Sequence, residues 1–76
     1  MGKTISSEEY KRIVEKLRNA RIESGLSQVQ AAKLLKKSQS YVSKSEAGEQ
    51  RLDILELKRF AKIYKKPLDY FIWYVG

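Results

Sequence analysis

Four polar residues near the middle of the chain would share one side of a helix. At about 100° per residue, Gln39, Ser40, Ser43 and Lys44 fall within an arc of roughly 140°. Glutamine can pair with adenine through two hydrogen bonds, lysine can pair with guanine, and serine can bind a base edge or a phosphate. The arc carries no acidic side chain, so it suits a polyanion. An ordinary solvated helix surface is the alternative, and the arc alone does not separate the two.

Two helix signatures frame these residues with almost no sequence between them. Ser27, with Gln30 three residues later, has the spacing of a capping box. Ser38 offers a second N-cap, and the helix that follows it should end at Gly48. A helix, a tight turn and a second helix over about residues 27–48 is the helix-turn-helix pattern. In DNA-binding versions the second helix enters the major groove.

The turn between these helices consists of Lys36 and Lys37. We expect a left-handed backbone conformation there, which glycine adopts easily and lysine adopts at a cost of about 1 kcal/mol.

Three further helices are predicted around this pair, so the chain reads as an all-α, compact five-helix bundle. Capping boxes at Ser6 and Asp53 predict a helix before the pair and a helix after it. The first should end at Gly25, and the other should stop before Pro67. A short aromatic segment from Leu68 would form the fifth helix. No strand pairs or linkers are evident, which predicts a single domain spanning the whole chain.

Apolar spacing on the helices predicts which side chains form the core. Tyrosines at these apolar positions are assigned to core packing rather than to stacking on single-stranded nucleic acid. The inward-facing positions are Tyr10, Ile13, Val14, Leu17, Ala20, Ala31, Ala32, Leu35, Val42, Ser45, Glu46, Glu49, Ile54, Leu57, Phe60, Ala61, Tyr64 and Tyr70.

Composition narrows the class of protein. The 76 residues include no cysteine and no histidine, which excludes disulfides, a Cys/His zinc site and a Ser-His catalytic pair. We expect no enzyme activity, metal, cofactor or small-molecule substrate. No membrane span or signal segment is evident, so the expected location is the cytoplasm. The net charge of +7 favours a polyanionic partner, although a small basic protein can carry such a charge for solubility alone.

The segment from Leu17 to Phe71 resembles the Cro/repressor-type helix-turn-helix family, also called the Xre family. The residues that carry the resemblance are Arg21, the run Gly25-Leu26-Ser27-Gln28, Ala32, Leu35, Ser38, Val42, Glu46, Gly48, Phe60-Ala61, Leu68 and Phe71. The positions that depart from the family pattern are Ala31, Lys36, Lys37, Ser45 and Ala47. The resemblance implies a phage-repressor-like domain that binds operator DNA, usually as a two-fold dimer.

Site residues follow from the resemblance. It implies that Gln28 touches a phosphate and braces Gln39, and that Arg21 and Glu46 form an internal ion pair. The resemblance implies DNA contacts by Gln28, Ser38, Gln39, Ser40, Ser43, Lys44 and Arg51. We add Lys37 and Tyr41 to the predicted DNA-binding residues, although the resemblance does not imply them. The function this favours is a sequence-specific transcriptional regulator, a repressor, that reads a palindromic double-stranded operator. A protein-interaction adaptor or antitoxin built on the same fold is the alternative.

The C-terminal segment predicts a homodimer. It is almost continuously apolar, and so short a helix cannot bury every side chain, which leaves a patch typical of an interface. The expected interface residues are Tyr70, Ile72, Trp73 and Tyr74. The alternative is that Ile72 and Trp73 fold back against the first helix and leave a monomer.

Overall fold

This computed structural model describes residues 8–72, which contain four α-helices and one short 3-10 helix. The elements are α1 (Glu8–Glu23), α2 (Gln28–Leu35), α3 (Gln39–Ala47), α4 (Ile54–Tyr64) and a 3-10 helix (Leu68–Tyr70). The predicted all-α class, with a helix-turn-helix at α2 and α3, is confirmed.

The helices begin where the sequence places their caps. Ser27 and Gln30 form a reciprocal capping box, with hydrogen bonds of 2.9 and 3.0 Å, at the start of α2. Asp53 and Glu56 do the same for α4 at 2.8 and 2.9 Å. Ser38 Oγ accepts a hydrogen bond from the backbone N–H of Tyr41 at 3.1 Å and so caps α3. The expected capping box from Ser6 lies outside the described residues.

All four α-helices are followed by a left-handed residue that redirects the chain, and after α1 this residue is Gly25. Gly48 closes α3 with φ of 75°, as glycine does without strain. Lys36 closes α2 with φ of 60°, which confirms the expected left-handed turn. Lys65 closes α4 with φ of 57°, a conformation that the sequence analysis missed. Both lysines hold a conformation that glycine would adopt more easily.

The prediction of five α-helices is wrong, because the fifth element is a single 3-10 turn. Pro67 is extended, with ψ of 156°, and the turn is closed by hydrogen bonds from Tyr70 N to Pro67 O and from Phe71 N to Leu68 O. With three residues per turn, positions three apart lie on one side. One 3-10 turn therefore brings both Leu68 and Phe71 to the core, and Phe71 is 1% exposed.

All four α-helices contribute to one core. The buried cluster comprises Leu17, Ala20, Ala31, Ala32, Val42, Leu57, Phe60, Ala61, Tyr64 and Phe71. Two inward assignments were wrong. Glu49 is exposed, because the left-handed Gly48 ends the helix before it and removes Glu49 from the helical face. Ile54 is 51% exposed, because the first turn of α4 lies at the rim of an open hollow with Tyr10 and Ile13.

Candidate nucleic-acid interface

The inner side of α3 is held by a buried serine. Ser45 is fully buried, and its hydroxyl donates to the backbone carbonyl of Tyr41 at 2.8 Å. Gln50, in the connection to α4, donates to Ser45 Oγ at 2.9 Å and to the same Tyr41 carbonyl at 3.2 Å. The buried hydroxyl is thereby satisfied, as a polar group in a core must be. Sequence reasoning missed Gln50, although a serine at a core position indicates that a polar partner must exist.

Tyr41 packs α3 against α4. Its ring stacks on that of Phe60, with centroids 5.9 Å apart and an interplanar angle of 4°. The ammonium of Lys37 lies 5.0 Å from the centroid of the Tyr41 ring, which is a cation-π distance. Burial and the nearby carboxylate of Glu56 raise the pKa of Tyr41 to about 12. Tyr41 is therefore half-buried in an aromatic contact, and it orients Lys37 at the edge of the helix-turn-helix.

An ion pair joins α1 to α3. Arg21 Nε lies 2.6 Å from Glu46 Oε2, and a second guanidinium nitrogen donates to Glu46 Oε1 at 3.2 Å. The side chains are 12% and 5% exposed, so little water screens the pair. Arg21 also donates to the carbonyl of Leu26 at 3.0 Å. The hydrogen bond to Glu46 raises the pKa of Arg21, so the guanidinium stays charged at neutral pH.

The same carboxylate sets the direction of a glutamine relay that leads to the surface. Gln28 Nε2 donates to Glu46 Oε1 at 3.1 Å, and Gln39 Nε2 donates to Gln28 Oε1 at 2.8 Å. An ionised carboxylate only accepts hydrogen bonds, so Gln28 must turn its NH₂ group inward and its oxygen towards Gln39. Gln39 must in turn present its own NH₂ group to Gln28. The Glu46 carboxylate therefore fixes the orientation of the exposed Gln39 amide through two successive hydrogen bonds.

The remaining side chains of the expected site lie along the outer edge of the motif. Ser40, Lys44 and Arg51 are exposed, and Ser43 is half-buried. Ser38 is exposed, and its oxygen accepts the capping hydrogen bond while its O–H stays available to donate. The solvent-facing side of α3 and its two flanks therefore offer hydrogen-bond donors and positive charge.

Tyr10 holds the connection that follows α3. Its hydroxyl donates to the carbonyl of Gln50 at 2.9 Å and accepts from the backbone N–H of Leu52 at 3.2 Å. Burial raises the pKa of Tyr10. The sequence analysis assigned Tyr10 to core packing and missed this polar role. The contact fixes the backbone on both sides of Arg51.

The C-terminal residues expected at a dimer interface fall into two groups. Tyr70 has Nζ atoms of Lys16 and Lys66 each 4.7 Å from its ring centroid, and its ring meets that of Phe71 edge-on at 5.1 Å. Ile72 is half-buried and lines a hollow with residues of α1 and α4. Both side chains thus contact their own chain. Trp73 and Tyr74 lie outside the described residues.

Comparison with known families agrees with this geometry. A family model described as helix-turn-helix matches residues 17–71, more than two thirds of the chain. The chain therefore belongs to the Cro/C1-type, Xre-like helix-turn-helix family, and the resemblance in its sequence is confirmed. No match to a curated protein is found.

Membership supports a DNA-binding regulator with DNA as its partner, and the family is typically non-enzymatic. Among the helices described, none combines the length and the apolar content needed to cross a bilayer.

Proposed function

We propose that the protein is a sequence-specific regulator of transcription that inserts α3 into the major groove of double-stranded operator DNA and acts as a repressor. The observation that carries the proposal is the relay from Glu46 through Gln28 to Gln39. It orients one exposed amide at the start of α3 before any DNA arrives. A side chain held in advance loses less conformational freedom on binding, so the relay supports base reading.

The free hydrogen-bonding groups of Gln39 match one base. Its amide has two N–H donors and one oxygen acceptor, and Gln28 uses one of the donors. One donor and the oxygen remain. Adenine presents an acceptor and a donor side by side in the major groove, so the remaining pair suits it. Ser40, Ser43 and Lys44 would contact neighbouring bases or their phosphates.

Phosphate contacts would come from both sides of α3. Ser38 retains a hydroxyl donor at the positive end of the helix dipole, where anions bind. Lys37 precedes it, and Arg51 follows the helix on a backbone that Tyr10 holds in place. These contacts would supply affinity and register, while α3 would supply sequence preference.

A repressor of this class would act as a dimer in the cytoplasm, beside the DNA. Two copies related by a two-fold axis would set their α3 helices about 34 Å apart, one turn of a palindromic site. Ile54 and Leu55 are 51% and 60% exposed, and Ile54 and Ile72 line the same hollow, which supports an apolar contact there. We extend this contact through Trp73 and Tyr74. Occupancy of an operator beside a promoter would then block polymerase.

Selection of bound sites from a random duplex library tests the proposal. We expect a palindromic consensus in which at least one position in each half-site favours adenine. The Gln39→Ala variant should keep the same half-site spacing and lose that preference. Absence of enrichment over bulk DNA would reject sequence-specific binding and favour the adaptor function instead.

A further inference from the structure

A groove open to solvent runs between the C-terminal half of α2 and α4, and its floor is apolar. Leu34 and Leu35 form one side, and Ile63 forms the other. Leu34 is 56% exposed, although it lies in a concave part of the surface. An exposed leucine inside a concave surface differs from one on a convex surface, because a partner can enclose it from several sides.

The rim of the groove is strongly basic. The lining cations are Lys36, Lys37, Arg59, Lys62 and Lys65. All five are exposed, and of the described residues that line the groove none is acidic. Two helices end here, and each C-terminus carries about half a negative charge. The five cations, less about one negative charge from the two helix ends, give the rim a net charge of about +4.

Two of these cations are held in a strained backbone conformation. Lys36 and Lys65 are the non-glycine residues of the described chain that have positive φ, and both line this groove. Glycine would relieve the strain at either position. Strain that persists beside a surface groove is a sign that the side chain has a function there. Each of these lysines adds a positive charge to the groove at the C-terminal end of a helix.

We propose that this groove binds a short acidic amphipathic helix of a protein partner. The apolar floor would receive the apolar stripe of that helix, and the basic rim would pair with its acidic flanks, in the manner of helix-in-groove recognition. DNA would pair with the rim but has no apolar stripe for Leu34 and Ile63, so the apolar floor favours a protein. The proposal does not depend on operator binding, since Lys37 is the one groove residue that also belongs to the expected DNA-binding residues.

A designed peptide can serve as the probe. A synthetic peptide of about 15 residues, with leucines at helical spacing i, i+4, i+7 and glutamates on its flanks, is titrated into the full chain. Methyl NMR signals of Leu34, Leu35 and Ile63 report contact with the floor. We expect these methyls to shift in a saturable way. A peptide of the same composition with a scrambled order, which has the charge without the stripe, should bind at least tenfold more weakly.

Variants of the groove locate the binding. Leu34→Ser should weaken the peptide at least tenfold, whereas Ile22→Ser, at a similarly exposed apolar residue outside the groove, should leave its affinity unchanged. The double variant Lys36→Gly/Lys65→Gly should unfold at a higher urea concentration than the parent and yet bind the peptide more weakly. This opposite change in stability and binding separates a functional role of the lysines from a structural one.

Three results would overturn the proposal. The first is equal binding of the designed and scrambled peptides, which would reduce the effect to charge. The second is parent-like affinity in Leu34→Ser or in the double glycine variant. The third is a shift of the Leu34 and Ile63 methyls on addition of a random-sequence duplex alone, which would assign the groove to DNA. None of these results bears on operator binding through Gln39, which is tested separately.

Discussion

Gln28 and Gln39 are the first residues of α2 and α3, and a hydrogen bond of 2.8 Å joins their side chains. The contact therefore holds two helix N-termini together. Each N-terminus carries about half a positive charge and unpaired backbone N–H groups. The hydrogen bond thus links the starts of both helices beside the amide that we propose to read adenine.

We expect Gln39→Ala to lower affinity for the cognate site by about 1–3 kcal/mol and to relax preference at one base position, because the bidentate base contact is lost. Lys37→Ala and Arg51→Ala should weaken all duplexes alike and flatten the dependence on salt, because each removes a phosphate contact. Binding is measured on cognate and random duplexes over a salt series. Equal losses on both duplexes for Gln39→Ala would show that α3 does not read a base there.

Glu46→Gln should lower the free energy of unfolding by about 3 kcal/mol, because it leaves the largely buried Arg21 guanidinium without a counter-charge. Urea unfolding followed by circular dichroism measures the change. Glu23→Gln is the matched control, since Glu23 pairs with Lys66 at 2.7 Å but is 55% exposed, and it should change stability little. A midpoint for Glu46→Gln equal to that of the parent would deny the ion pair a structural role.

Tyr64→Phe should stabilise the protein by about 1 kcal/mol. The Tyr64 hydroxyl is buried and has no hydrogen-bond partner among the described residues, and a buried unsatisfied group disfavours folding. Burial also raises the pKa of Tyr64, as expected for a phenol kept from water. Tyr10→Phe is the control, because its hydroxyl makes two hydrogen bonds and its loss should destabilise. A fall in the urea midpoint of Tyr64→Phe would contradict the prediction.

Stability should fall as the pH rises from about 10 to about 12. An unfolded tyrosine loses its proton near pH 10, whereas the pKa of Tyr41 in the folded chain is about 12. The raised pKa of Tyr41 therefore contributes its full stabilisation of the folded state below the pKa of an unfolded tyrosine. This contribution is lost as the pH rises through the pKa of Tyr41 in the folded chain. Urea midpoints across this range, with phenolate absorbance, measure the effect. Tyr41→Phe should show a shallower decline; an unchanged slope would exclude Tyr41 as a source.

The free protein should sediment as a dimer at micromolar concentration, and Trp73→Glu should convert it to a monomer, because a charge would disrupt an apolar interface. Circular dichroism of the variant checks that it remains folded. A parent protein that sediments as a monomer without DNA would reject the dimer for the free chain. It would favour the alternative in which the C-terminal side chains pack against their own α1.

The limits of α2, α3 and α4 could be predicted because caps are local. A serine or aspartate that hydrogen-bonds three residues ahead fixes a helix start whatever surrounds it, as Ser27, Ser38 and Asp53 do. The left-handed Lys65 had a local signal that was overlooked. Pro67 disfavours the α conformation at Lys66, so the helix had to close one residue earlier.

Other features depend on packing that no local pattern encodes. The prediction that Glu49 faces inward assumed that the helix continues past Gly48. The backbone leaves the helix at Gly48, so Glu49 does not follow the helical rotation. The pairing of Gln50 with Ser45 and the basic groove depend on how the helices cross in space. The polar arc of α3 was visible in the sequence, but the relay that orients Gln39 required the approach of α2.

The Tyr10 hydroxyl links residues 40 and 42 positions away along the chain. Tyr10 lies in the first turn of α1, so melting of that turn would release the backbone before α4 at the same time. The two segments should therefore behave as one unit of local unfolding. The amide of Leu52 would then exchange its hydrogen with solvent at the rate at which the beginning of α1 opens.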